Sequence, residues 1–179
     1  NAFTGMTTDG KLSVSVEADA GAQGWIYGVR TYNGVEASSI WDSTDYDRRA
    51  ETELKAAEVE ISAKGGAFTE FASGVASSGQ TNPLAGDYPG YVYTRAHTSI
   101  EANSVTVAAE AMNAAGKAHG LDVIEFSGID IAANELSVSA KAGKEAYGIY
   151  SFGNGAKPDS PSGADTKLPE AQRGYVFGA

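Results

Sequence analysis

The chain has 179 residues, a net charge of −10 and a pI of about 4.6. That length suits one ordinary domain, and the acidic balance argues against nucleic acid or an anionic membrane, which call for basic patches. There is no cysteine and no run of eighteen apolar residues, which argues against disulfide frameworks, thiolate metal sites and a membrane-spanning helix.

Glycine makes up 22 of the 179 residues, against a usual share of ~7%, and large aliphatic residues are sparse. The expected core is therefore thin and built from small side chains. Asn1 and Ala2 read as the remnant of a cleaved expression tag. Residues 3–179 are then expected to form a single domain taken from a longer protein.

The first predicted strand lies in "GKLSVSVEA", from Gly10, where apolar and polar residues alternate. Period two is the mark of a half-buried strand. "WIYGV" follows and ends at Val29. Glycine inside a strand weakens it, so Gly28 is expected to mark a bend or a close backbone approach. Residues 35–52, "VEASSIWDSTDYDRRAET", interrupt the pattern as a first insertion.

The pattern then returns. "AEVEISAKG" from Ala57 is followed by "FASGV" ending at Val75, and a second insertion covers 81–98, "TNPLAGDYPGYVYTRAHT". "NSVTVAAEA" from Asn103 leads to "KAHGL" ending at Leu121. "NELSVSAKA" from Asn134 leads to "AYGI" ending at Ile149. "ELKAA" from Glu53, "SIEAN" from Ser99 and "DIAAN" from Asp130 form a third shared piece. Residues 157–174, rich in Pro, Gly and polar side chains, read as a long irregular loop. "YVFGA" closes the chain and supplies a fifth anchor glycine, Gly178.

The anchors Gly28, Gly74, Gly120, Gly148 and Gly178 define a unit of about 30 residues, with insertions in the first two copies. That is room for three strands of ~5–6 residues and three connections of ~4–6. No such unit buries its apolar side alone, so the copies are expected to stack as turns of a coil, with parallel strands and the glycines at one corner. A rival pattern exists. "RAETELKAAEVEISAK", 49–64, carries apolar residues at helical spacing, and "AAEAMNAAGKA", 108–118, is alanine-rich. The sister copies alternate cleanly, so strands are expected, with a short helix allowed over 48–57.

The two insertions are expected to project from one side. They hold Trp41, Tyr46, Tyr88, Tyr91 and Tyr93. Such aromatics stack on a sugar or grip a protein partner, or else fold back over an open face. Asp42, Asp45 and Asp47 are candidate Ca²⁺ ligands, but their spacing does not fit an EF-hand loop, and Arg48 and Arg49 follow at once. No metal or cofactor is therefore expected. Paired carboxylates for glycoside cleavage are not singled out by spacing. Arg48 and Arg95 are weak candidates for a lyase base. His97 and His119 are the two histidines. No nucleophile-elbow motif surrounds any serine, and His119 occupies the bulky slot held by Tyr27 and Tyr147 in sister copies.

With "ELSVSAKAGKEAYGIYSFGNG" and its copies in view, residues 8–156 resemble the passenger regions of bacterial autotransporters. The resemblance implies an all-β chain, a right-handed parallel β-helix (solenoid) of about four to five coils with long loop insertions. It implies export from a Gram-negative bacterium to the cell surface or beyond, and continuation into a C-terminal translocator β-barrel. It also implies a non-enzymatic adhesive or scaffolding role toward a host glycan or protein. The matched positions are structural, so no functional residue carries over, and the long insertions depart from the family pattern. The alternative is a polysaccharide lyase or glycoside hydrolase on the same fold.

Overall fold

The computed structural model describes residues 2–34, 47–83, 91–124, 127–152 and 175–178. Within them every regular element is a strand: β1 Ala2–Thr7, β2 Lys11–Glu17, β3 Gln23–Tyr32, β4 Asp47–Lys55, β5 Glu58–Gly65, β6 Phe68–Ser78, β7 Gln80–Pro83, β8 Tyr91–Ala111, β9 Lys117–Ile124, β10 Ser127–Ala142, β11 Glu145–Phe152 and β12 Tyr175–Gly178.

The strands form two curled sheets. The larger runs β1-β4-β8-β10-β12, with β2 and β5 continuing the same surface beside the second halves of β8 and β10. The smaller runs β3-β6-β9-β11. Nearly all the pairing is parallel; the short β7 lies antiparallel on the start of β8.

The registers follow the sequence repeat. Leu12 faces Val59, which faces Val105, which faces Leu136; Val14, Ile61, Val107 and Val138 align in the same way. Each such column is one rung deep in every copy. The same alternation therefore buries to different extents. Leu12 and Val14 lie on an edge and are half-buried, whereas Val59, Ile61 and Val107 are completely buried because strands cover both sides. Burying such a side chain is worth ~1.5–3 kcal/mol.

Two clusters make up the core. One is aliphatic, including Leu54, Val59, Ile61, Val75, Ile100, Val105, Val107, Leu121 and Ile129. The other is nearly all alanine around Ile26: Ala63, Ala72, Ala109, Ala111 and Ala118. The sheets approach each other closely along a column of glycines.

The glycines allow this approach. Gly28, Gly74, Gly120 and Gly148 occupy one column of the smaller sheet, between paired neighbours. A Cβ on Gly28 would stand 2.6 Å from the Gly74 carbonyl oxygen and 2.6 Å from Ile61 Cγ2. On Gly74 it would collide with Val107 Cγ1 and lie 2.8 Å from the Gly120 oxygen; on Gly120 it would collide with Val138 Cγ1 and lie 2.6 Å from the Gly148 oxygen. Gly28, Gly74 and Gly120 thus each receive a β-branched side chain from the opposing sheet, one rung further on. Their function is close approach, not unusual torsion. The one positive φ among the described glycines is at Gly24, +93°.

Several expectations need correction. Gly178 is not the fifth member of the column. It lies in β12, in register with Ile131 of the larger sheet, so the spacing from Gly148 is not a repeat spacing. The insertions are shorter than 35–52 and 81–98. Asp47–Thr52 and Tyr91–Thr98 are strand residues, 47–52 paired with 93–98, and Thr94, Ala96 and Thr98 point inward and are buried. Threonine in place of valine hid that alternation. Residues 35–46 and 84–90 lie outside the described residues, as does 157–174. The helix allowed over 48–57 is strand β4. Residues 49–64 and 108–118 are likewise mostly strand, because ladder pairing in the stack overrides local helical preference.

Gly74→Ala is expected to destabilise the fold by about 3 kcal/mol through overpacking. Gly148→Ala is expected to stay within about 0.5 kcal/mol of the parent, because its added Cβ would meet only the Val138 carbonyl oxygen, at 3.6 Å. Urea-unfolding midpoints measure both.

Candidate functional site

The outer face of the smaller sheet carries a row of rings. Strand alternation turns Ile26 inward, so Trp25 and Tyr27 project outward. A register shift between Gly24 and Trp25 opposes two β3 residues to three on β6 and sets Trp25 beside Phe71. Such bulges re-aim side chains. The Trp25 and Phe71 ring centroids are 5.9 Å apart, edge to face, and Tyr27 lies 5.9 Å from Phe71. Phe71 meets His119 at 4.9 Å. His119 stacks on Tyr150 at 4.3 Å and meets Tyr147 edge-on at 5.5 Å. The Arg30 guanidinium lies over the rings of Tyr27 and Tyr32, at 4.6 and 4.7 Å. The row crosses all four strands, three gaps of ~4.8 Å. Its two ends are open, Trp25 being 66% exposed and Tyr147 44%.

The middle of the row holds a buried polar pair. His119 Nδ1 is 2.8 Å from Asp122 Oδ1, and the two residues are 6% and 2% exposed. Ser73 is in register with His119 on the next strand. Serine, histidine and aspartate are thus gathered, yet Ser73 Oγ and His119 Nε2 are both buried and have no hydrogen-bond partner among the described residues. No hydrogen bond joins the serine to the imidazole among the described residues. Burial pushes the Tyr27 phenol up, Arg30 opposes that shift and Asp122 adds to it.

A second surface feature is a shallow groove of about 400 Å³ along the larger sheet, where Ser15, Ser62, Ala108 and Ser139 form the floor. Glu17, Lys64, Glu110 and Lys141 make its wall, with Lys64–Glu17 at 2.8 Å and Lys141–Glu110 at 2.7 Å. Lys55–Glu101 at 2.8 Å and Lys117–Glu145 at 2.9 Å are similar cross-strand pairs. Hydrogen bonds to Glu60, Glu101, Glu17 and Glu145, respectively, raise the ammonium pKa of Lys11, Lys55, Lys64 and Lys117. The Lys117 hydrogen bond lowers the Glu145 carboxyl.

The candidate ligand residues from the sequence are not brought together in the described structure. Trp41, Tyr46 and Tyr88 lie outside the described residues. The backbones of Tyr91 and Tyr93 open β8, opposite Pro83 and Asp47, and their side chains also lie outside. Asp42 and Asp45 fall outside too, while Asp47 and Arg48 begin β4. Among the described residues no cluster of histidine and carboxylate suits a metal ion. His97 instead pairs with Asp130 at 2.9 Å. Trp25, Phe71, Tyr150 and Arg30 were not singled out by the sequence. The available signal was that Trp25, Tyr27, Phe71, His119, Tyr147 and Tyr150 all lie within three residues of an anchor glycine.

No family model matches the chain, and neither the curated proteins nor the solved structures contain a match to it.

Replacing Lys117 with Ala is expected to return the Glu145 carboxyl upward toward its ordinary value of 4.5, read by NMR titration. Because the folded value is depressed, the stabilisation from Glu145 holds above the unfolded value and is lost as pH falls through the folded one. The raised lysines behave in the opposite way. Their contribution is complete below the ordinary value of 10.5 and disappears as pH rises through the folded values. Thermal unfolding across the alkaline range is therefore expected to show stability declining above that point, and less steeply in Lys64→Met.

Proposed function

We propose that the chain is a non-enzymatic stretch of a right-handed parallel β-helix of about four to five coils, displayed at or secreted from the surface of a Gram-negative bacterium, which holds neutral glycans on its aromatic shelf. The observation that carries the reading is the row of rings from Trp25 to Tyr147 on four rigid strands. Ring C–H bonds of a pyranose complement the negative face of an aromatic side chain. Side chains fixed on strands lose little entropy on binding. Parallel registers that follow the repeat, closing over a thin core, support the coiled architecture. The passenger resemblance of residues 8–156 supports the surface location and the adhesive role.

The net charge of −10 disfavours polyuronates and sulfated chains, leaving neutral hexose and acetamido-hexose polymers as the ligand class. Buried His119 and Asp122 serve structure rather than turnover, so the reading is of a holder and not a cleaving enzyme.

A glycan array is expected to give neutral hits. The double variant W25A/Y147A is expected to weaken them about tenfold, the loss of one anchoring contact at an interface, with an unchanged far-UV spectrum. New reducing ends or unsaturated products on incubation with polysaccharide would sink the reading, as would binding indifferent to that variant.

A further inference from the structure

Both sheets end on unpaired edges. Among the described residues β3 and β11 each pair on one side only, and so do β2 and residues 134–142 of β10. Such an edge offers a row of free backbone N–H and C=O groups to another strand. The apolar columns run out at the same place. Leu136 and Ile149 are 44% and 53% exposed, whereas their counterparts one rung inward, Val105 and Leu121, are buried.

The charges say what fits there. Glu17, Lys64, Glu110 and Lys141 stand in one column and alternate in sign. Four alternating rungs leave opposite charges at the two ends, glutamate at the first and lysine at the last. A second column, Lys11, Glu58, Ser104 and Glu135, begins on lysine and finishes on glutamate. The far end of the molecule is therefore complementary to its own near end in both columns.

We propose that the chain stacks head to tail on a second copy of itself, with residues 134–142 of β10 pairing with β2 of the second copy and β11 pairing with its β3. Continuing the register sets Lys141 against Glu17 and Glu135 against Lys11. Leu136 meets Leu12, Val138 meets Val14, and Ser137 and Ser139 meet Ser13 and Ser15. The glycine column also continues. Gly148 lacks the β-branched partner that Gly28, Gly74 and Gly120 each have, and Val14 of the second copy occupies that place. Because the contact joins different faces, it does not close, and the product grows as a filament.

One strand must yield. β12 lies on β10 over Gly128–Ile131, the rung that β1 of the second copy would take. β12 pairs through four residues and β1 through six, so β12 gives way.

Sedimentation velocity of the full chain over a wide concentration range tests this. The parent is expected to associate open-endedly. E17K alone and K141E alone should each self-associate about tenfold more weakly, like charges now facing each other, and a mixture of the two should regain the parent behaviour. Gly148→Ala, which leaves folding nearly unchanged, should abolish stacking because the added methyl fills the place of Val14. A chain ending at Gly174 should associate more tightly. A parent that stays monomeric throughout, one that forms only a closed dimer, or association indifferent to K141E and Gly148→Ala overturns the proposal.

Discussion

Two sheets can approach this closely only where one of them has no Cβ. The interlock of Gly28, Gly74 and Gly120 with Ile61, Val107 and Val138 sets the separation of the sheets, and other features follow from it. Alanine makes up most of the second cluster, around Ile26. The aliphatic cluster holds the β-branched residues that meet the glycines. Protein interiors pack at crystal-like density, so a thin space selects small residues instead of leaving voids.

The same constraint explains where the aromatics are. A core this narrow has no room for a row of large rings, so they are driven outward. Rings on successive strands then fall into contact with one another, since the strand spacing matches the range of centroid distances that rings favour. Their order is inherited from the backbone ladder and needs no loop to hold it. His119, the buried ring of the row, pairs with Asp122, and that Nδ1–oxygen contact satisfies one ring nitrogen.

Much of the ladder was legible in the sequence. The paired aliphatics Leu12/Val59/Val105/Leu136 could be aligned by eye, because alternation and a matched glycine recur in every copy. Three things were not. Thr94 and Thr98 face inward as valine would, yet polar identity made their segment look like an inserted loop. Gly178 shares the local motif of the other anchors, but pairing partners and not motif decide which sheet a short strand joins. The shelf was hidden because its members come from four separate units, and proximity across strands is invisible until the register is known. The aromatics that drew notice, Trp41 and Tyr88 among them, were conspicuous only because their surroundings broke the pattern.

One small interior feature bears on how such a repetitive chain finds a single arrangement. Thr31 Oγ1 is 2.7 Å from Thr52 Oγ1 and 2.8 Å from Thr98 Oγ1, a knot of hydroxyls between the two sheets. The columns from Leu12 to Leu136 and from Val14 to Val138 would accept a vertical slip, since one aliphatic replaces another. Here a slip toward β10 would replace Thr52 by Ile129, which follows Thr98 in its column, and cost Thr31 one of its two hydroxyl contacts, about 0.5–1.5 kcal/mol. The threonines thereby act as a proofreading mark against slippage in that direction.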